Sequence, residues 1–342
     1  MEGLQITAPG AISTIEKKEF FESSDSVKVK ITHTLFIQED FLTFEGDPRA
    51  IYPIVPSRIA IGKVVETNGD NSFGFERGMN VFLHPVTNCN KCFECAKGEY
   101  KNCANFRIAG KNTDGFLRDF AIMDNDDVSV LPPSVTERDA LFIDHIATCD
   151  RIVDNLNLQK GEHVVIVGGD VLGIILAQLI IYYQGVPILV DNNQGNLDIA
   201  KQAGVYYTLF ADNKVERNVA ELTGARLANK VVYMTGANLN TDIALKLAGH
   251  NATVCFGGFG TPNIRVNFNT ALLKQLRFNC ATNGFGNYNS AINILANKAI
   301  DTSIFEIRTT KSDRAAEVIR EMGKGISYDA TKNMLIVEMN KF

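Results

Sequence analysis

The amino-acid sequence predicts an α/β chain of two domains, one rich in β-strands and one built on a doubly wound parallel sheet. Three observations carry that expectation. The chain has 342 residues, too many for one ordinary hydrophobic core. Residues 1 to about 150 read as strands broken by turns. From about 151 onward the pattern alternates strand, helix, strand, helix.

In the first part, SVKVKITHTLFI is rich in β-branched residues and alternates in places, and RIAIGKVVET and MNVFLHPV are further strands among Gly, Asn and Asp. In the second part, EHVVIVGG is a buried strand, followed by the helix VLGIILAQLIIYYQG, which Gly185 would end. VPILVDNN is the second strand, LDIAKQAG the second helix, and KVVYMTG and ATVCFGGFG are later strands. Alternating β and α units imply a parallel sheet covered by helices on both faces. After about 285 the sequence offers one helix, SDRAAEVIREMGKG, and a last strand, NMLIVEMN. Periodicity alone does not assign this tail to either domain.

With 45% apolar and 21% charged residues the composition is that of a folded globular chain. A net charge of −5 and a pI near 5.6 argue against a nucleic-acid partner. The longest apolar run, VLGIILAQLIIYY, is short and carries Gln178, so a buried helix is expected and no membrane partner. MEGLQITAPG lacks the basic start and apolar core of a signal peptide. Seven cysteines, four of them clustered, fit reduced thiols and a cytoplasmic location rather than a disulfide framework.

The cluster is Cys89, Cys92, Cys95 and Cys103, spaced C-x2-C-x2-C-x7-C. Short loops between ligands let one excursion of chain wrap a tetrahedral zinc ion. With all four positions filled by thiolate no place is left for water or substrate, so such a zinc is structural. An iron–sulfur cluster is the rival occupant, since it also takes four cysteines.

VVIVGGDVLG sets Gly168, Gly169, Asp170, Val171, Leu172 and Gly173 at the turn from a strand into a helix. That is the G-x-G-x-x-G layout of a Rossmann dinucleotide site, in which amides at a helix N-terminus receive a pyrophosphate. Asp191 closes the next strand, eighteen residues past Gly173. A carboxylate there accepts hydrogen bonds from the adenosine ribose and repels a 2′-phosphate, so NAD(H) is expected over NADP(H). One position departs from the layout: Asp170 stands where a bare glycine lets the pyrophosphate approach, and its charge has the same sign.

These segments together resemble the medium-chain dehydrogenase/reductase superfamily, in particular its zinc-containing alcohol, polyol and threonine dehydrogenases. The likeness spans nearly the whole chain. It includes the four-cysteine lobe, TDGFLRDFAI after it, LQKGEHVVIVGGDVLG and VPILVDNNQGNLDIAKQAG. It implies a GroES-like β-rich barrel domain over 1–150 and 285–342, with a structural zinc lobe at 89–103, and an inserted Rossmann domain over 151–284. The active site would lie in the cleft between them, and by family analogy the chain would form a dimer or tetramer.

The family's chemistry usually needs a second zinc with an open position. Its first ligand is a cysteine in a Cys-Gly-Thr/Ser-Asp stretch, matched here by IQED with Ile37 in the cysteine's place. Its second is a histidine in a Gly-His-Glu stretch after a proline, and VPSRIAIG puts Arg58 there. A further carboxylate is matched by Asp144 in FIDHIATCD. Neither isoleucine nor guanidinium ligates zinc, so the resemblance implies a family member without catalytic zinc. Glu39 replaces the hydroxyl residue that relays the proton. Two readings of Arg58 stay open: it holds a substrate oxygen while Glu39 or His145 moves a proton, or it pairs with Asp144 or Glu39 and plugs a dead site.

The expectation is an NAD(H)-dependent oxidoreductase passing hydride to or from a small alcohol, carbonyl or activated alkene. The alternatives are a non-catalytic binding or regulatory protein on the same scaffold, or an alcohol dehydrogenase with rearranged zinc ligands.

Overall fold

The computed structural model describes residues 1–17, 21, 25–69, 73–259, 264–323 and 333–340, and every element named below lies among them. The chain forms two compact units. The first takes Met1–Asp144 and the described C-terminal residues from Ile307, the second His145–Glu306.

In chain order the first unit begins with β1 (Glu2–Ala8), β2 (Ala11–Glu16), β3 (Ser26–Phe36), α1 (Gln38–Glu45), β4 (Ile59–Asn68), β5 (Asn80–Leu83) and β6 (Val86–Thr87). It continues with α2 (Phe93–Ala96), β7 (Arg107–Ile108), β8 (Phe120–Asp124), β9 (Val128–Val130) and α3 (Glu137–Ala140). α4 (Ile143–Leu156) straddles the division. The second unit holds β10 (His163–Val167), α5 (Val171–Tyr182), β11 (Val186–Asp191), α6 (Gln194–Gln202), β12 (Tyr207–Phe210), α7 (Val215–Leu222) and β13 (Ala228–Met234). Then come α8 (Asp242–Leu247), β14 (Ala248–Gly257), α9 (Phe268–Lys274), β15 (Arg277–Ala281) and α10 (Tyr288–Ala296). β16 (Arg308–Lys311), α11 (Ser312–Met322) and β17 (Leu335–Glu338) return to the first unit.

The first unit is built on a largely antiparallel sheet in the order β16-β17-β3-β4-β5-β9, with β8 also paired to β3. Long β3 earns its central place by β-branched residues: Val27, Val29 and Ile31 turn inward onto Val81, Leu83 and Phe116. The C-terminal strand β17 pairs antiparallel with β3, Val337 opposite Thr34, which answers where the tail belongs from residue 307 on. Residues 285–306 differ from the expected division. They lie in the second unit, because Asn287 at the head of α10 donates its side-chain amide to Asp150 at 2.9 Å and Asp154 at 3.0 Å, both on α4.

In the second unit six parallel strands run β12-β11-β10-β13-β14-β15, so the two halves of the sheet are wound outward from β10 and β13. This is the doubly wound nucleotide-binding order. Val164, Val165, Ile166 and Val167 of β10 are all fully buried, as a central strand covered on both faces requires. α5 stops at Tyr182, and the left-handed turn after it is taken by Gln184 (φ 64°), not by Gly185. Gly185 is needed for space instead: a Cβ there would stand 2.8 Å from Ile180 Cγ2.

Candidate active site and metal lobe

The four cysteines converge. β6 and β7 pair antiparallel, Val86 opposite Ile108, and so bring the two ends of the 89–103 excursion together. Arg107 Nη2 ties the base by donating to the Asn88 carbonyl at 3.1 Å. The Sγ atoms lie within 4.8 Å of one another, with Cys92–Cys95 at 3.4 Å and Cys89–Cys95 and Cys92–Cys103 at 3.9 Å. Four sulfurs about 2.3 Å from a tetrahedral ion stand about 3.8 Å apart, so the lobe fits zinc without rearrangement. Amides of Cys95 and Ala104 donate to Cys92 and bring its thiol down to about 6, toward the thiolate that a metal needs. Among the described residues this is the one group of three or more His, Cys, Asp or Glu side chains close enough to share an ion.

At the glycine turn, Gly168 has φ +109°, closed to other residues, and a Cβ on it would lie 2.7 Å from Ala237 Cβ. A Cβ on Gly173 would lie 1.9 Å from the Gly168 carbonyl oxygen, so only glycine lets α5 start this close to β10. Gly169 is bare beside Leu189, Asp191 and Asn196, and its amide donates to Asp191 Oδ2. Asp191 Oδ1 accepts from the Asn193 amide at 2.6 Å. A carboxylate has about four acceptor sites, so hydroxyl donors can still be received. Val171 and Leu172 form the first turn of α5 beside these glycines. The cradle therefore suits a dinucleotide. Asp170 does something the sequence reading missed: as N-cap of α5 its Oδ1 accepts from the Gly173 amide at 2.8 Å. The signal was available, since Asp is a favoured N-cap.

In the first unit Arg58 and Asp144 meet. Arg58 Nη2 stands 2.8 Å from Asp144 Oδ2, with side chains 6% and 0% exposed. Burial pushes the Asp144 carboxyl up and the guanidinium opposes it. A guanidinium keeps its charge, so protonating Asp144 would leave a buried cation unanswered. Glu39, on the first turn of α1, is partly buried; burial raises its carboxyl while Arg58 and Lys111 pull it down. Ile37 is 2% exposed and apolar. An isoleucine, a guanidinium and one paired carboxylate do not fit a catalytic zinc.

His145, the next residue along α4, is buried at 3%, with its ring edge-on to Phe259 at 5.2 Å. Two charged residues, Asp40 near Arg58 and Lys111 near Glu39, were not singled out from the sequence. Asp40, 3% exposed, accepts from the Ile37 amide at 3.0 Å. Lys111 lies 3.3 Å from Asp47 and pulls on Glu39. The spacing of Asp40, three residues after the helix-capping position, was a legible sign; nothing local marks Lys111. Cys149 and Cys255 are buried, whereas Cys280 is exposed on the edge strand β15.

Residues 23–133 match the family described as alcohol dehydrogenase GroES-like domain, and residues 171–297 the family described as zinc-binding dehydrogenase. This chain belongs to the medium-chain dehydrogenase/reductase superfamily. It is an oxidoreductase of the alcohol and polyol dehydrogenase type. The sorbitol dehydrogenase of Halalkalibacterium halodurans is 27% identical over 275 residues, covering 78% of this chain and 79% of that one. Among solved structures, a short chain alcohol dehydrogenase from E. coli CFT073 complexed with NADH superposes with a TM-score of 0.85 at 19% identity, over 99% of both chains. A zinc-binding dehydrogenase from Sinorhizobium meliloti 1021 bound to NADP gives 0.84 at 20% identity, over 98% of both. The family accounts for both sheets, the lobe and the glycine turn. Within the described residues no helix is long and apolar enough to cross a membrane.

Proposed function

We propose that the chain is an NAD(H)-dependent oxidoreductase that reduces an already polarised small substrate, a carbonyl or an activated alkene, without a catalytic zinc. The observation that carries this reading is the buried ion pair of Arg58 and Asp144, at the positions where the family resemblance sets two metal ligands. Bound NAD(H) would supply or accept the hydride. Arg58 holds positive charge where the ion would have been and donates N–H groups to the substrate oxygen. Glu39 is the proton group: it shares Arg58's unit, and burial holds its carboxyl toward the protonated form. His145, packed on Phe259 in the second unit, is the alternative. Without a Lewis acid, an alcohol's alkoxide loses its main stabilisation, which favours reduction over oxidation.

Gly168, Gly169, Val171, Leu172 and Gly173 would line the cofactor diphosphate, and Asp191 would hold the ribose. Asp191 and the absence of Lys or Arg from 192–196 support NAD(H) over NADP(H). The lobe's zinc is structural, and thiols must stay reduced to hold it, which supports a cytoplasmic location. A homo-oligomer is supported by the second unit's edge. Among the described residues β15 pairs on one side only, and neighbouring α9 leaves Phe268, Leu272 and Leu273 at 65%, 73% and 78% exposure.

A second reading, a binding or regulatory protein on this scaffold, is favoured by one observation: Asp170 already caps the amide of Gly173. Titration of the protein with NADH, followed by nicotinamide fluorescence and by NADH consumption against a panel of aldehydes, ketones and enones, separates the two. Binding with turnover supports the enzyme. Failure to bind at millimolar NADH leaves only the second reading.

A further inference from the structure

Arg49, in the loop after α1, and Lys111, in the loop after β7, share one carboxylate. Arg49 takes Asp47 in a fork, donating from Nε to Oδ1 at 2.9 Å and from Nη2 to Oδ2 at 2.7 Å. The Arg49 amide also donates to Oδ1, at 2.9 Å. Lys111 Nζ stands 3.3 Å from the same Oδ2. A carboxylate has about four acceptor sites, so Asp47 has none to spare. Its side chain is 5% exposed, against 17% for Lys111 and 36% for Arg49. The anion is the deepest of the three, and both cations keep contact with solvent.

Two cations on one carboxylate leave one positive charge over. Donors are left over as well, since a guanidinium carries five N–H groups and an ammonium three, and the fork to Asp47 uses two of the five. Burial lowers the Lys111 ammonium, and Arg49 pushes it the same way, against the pull of Asp47 and Glu39. The pair lies close to the Arg58 turn. The Ile51 amide donates to the Lys111 carbonyl at 3.0 Å, which ties the loop after α1 to the loop after β7. Gly110, next to Lys111, lies against Ser57, next to Arg58: a Cβ added to Gly110 would stand 3.2 Å from the Ser57 nitrogen. Arg49 and Lys111 both act on Glu39 through their charge. The charge of Arg58 itself is answered by Asp144, and burial pushes Glu39 and Asp40 toward their neutral forms.

We propose that Arg49 and Lys111 form an anion subsite beside Arg58, so that the carbonyl substrate carries a carboxylate or a phosphate group. Arg49 offers paired donors and Lys111 a compact charge, and an oxyanion of either kind accepts from both. A bound anion also holds Glu39 toward its protonated form, which is the form that the proposed reduction consumes. The inference deepens the reading of the Arg58 site as a reductase site and rests on it for the carbonyl, while the subsite itself is testable without turnover.

The test is isothermal titration of the full-length protein, without cofactor, with levulinate and with dihydroxyacetone phosphate. Their neutral counterparts, 2-pentanone and dihydroxyacetone, are the controls. Wild type should bind at least one of the anions about tenfold more tightly than its counterpart, and which one tells carboxylate from phosphate. Lys111→Gln should weaken that binding about tenfold, and Lys111→Arg, which keeps the charge, should restore most of it. Because Asp47 keeps its fork to Arg49, Lys111→Gln should melt like wild type. If it does not fold, the wild-type comparison and its weakening by added salt decide. Anions bound no better than their counterparts overturn the proposal, as does Lys111→Gln binding the anion like wild type. A protein that binds the anion and not NADH defeats the enzyme reading and keeps the subsite. One that reduces neutral ketones with NADH and ignores both anions keeps the enzyme reading and defeats the subsite.

Discussion

At Asp170 one carboxylate caps α5 at the turn proposed to hold the cofactor. Its hydrogen bond to the Gly173 amide satisfies one of the donors that a helix start leaves open, yet it takes a donor of the turn that receives a dinucleotide's pyrophosphate. Glycine is nearly as good an N-cap, within a few tenths of a kcal/mol. Asp170→Gly should therefore leave stability almost unchanged and tighten NADH binding several-fold by isothermal titration. Equal or weaker binding would show that the carboxylate does not disfavour the cofactor. Asp191 is the reverse case. Asp191→Ala should narrow the preference for NADH over NADPH, and it should also lower stability by about 1–3 kcal/mol, because the buried amide of Gly169 and the part-buried amide of Asn193 lose their acceptor. At Arg58 the two readings differ by a double mutant. Arg58→Ala alone leaves Asp144 buried without its cation and should cost about 3–5 kcal/mol. Arg58→Met with Asp144→Leu replaces the pair by apolar groups and should fold near wild-type stability in urea unfolding. Loss of NADH-linked reduction in that folded double variant supports a catalytic Arg58; retained reduction means the pair only fills space.

The lobe is an element whose geometry fits one ion. The β6–β7 pair and the α2 turn set four sulfurs at zinc-like separations. Elemental analysis should find one zinc per chain, and Cys92→Ser should lose it and destabilise the lobe while NADH affinity holds. Iron, or two zincs per chain, would overturn the assignment. The edge formed by α9 and β15 makes a different prediction. Its exposed Leu272 and Leu273 are unlike the polar surface that an edge facing water usually shows. Leu272→Asp with Leu273→Asp should shift the sedimentation coefficient to that of a monomer; a wild type already monomeric would end the proposal.

Across the whole molecule, buried titratable groups set opposing pH dependences. Asp40 and Asp127 are both pushed up to about 7 by burial, and His84, held by Ser129 Oγ at 2.9 Å, is pushed down to about 3 by burial. For the two carboxyls the folded state keeps protons that the unfolded state releases above about 4, so their contribution is lost as pH rises from about 4 through 7. For His84 the unfolded state takes up a proton below about 6.5, so its contribution is lost as pH falls from there toward 3. Between pH 5 and 6 the raised carboxyls, Glu39 and Asp144 among them, outnumber His84, so unfolding free energy should decline as pH rises from 5 to 6. Asp40→Asn should lessen the decline, and a flat wild-type profile would contradict the burial of these groups in their neutral forms.

Local signals were enough for the cysteine lobe, the glycine turn and the alternating βα pattern, because each depends on residues a few positions apart. Spacing determines whether four thiols can wrap one ion, and a missing Cβ at Gly168 and Gly173 is a property of the chain itself. The tail from residue 307 was ambiguous in periodicity, and only the pairing of β17 with β3 assigned it. The stretch 285–306 went the other way because Asn287 finds two carboxylates more than a hundred residues earlier. Likewise, the sequence marked Arg58 and Asp144 as unusual, but whether they touch depends on chain segments 86 residues apart, and the 2.8 Å contact is a tertiary fact. Asp40 shows the limit most plainly. Its bond to Ile37 is local and legible, while the pull of Arg58 on its carboxyl exists only because folding brings the turn that carries Arg58 to α1. Burial is what gives a charge or a hydrogen bond its weight, and burial is decided by the whole chain at once.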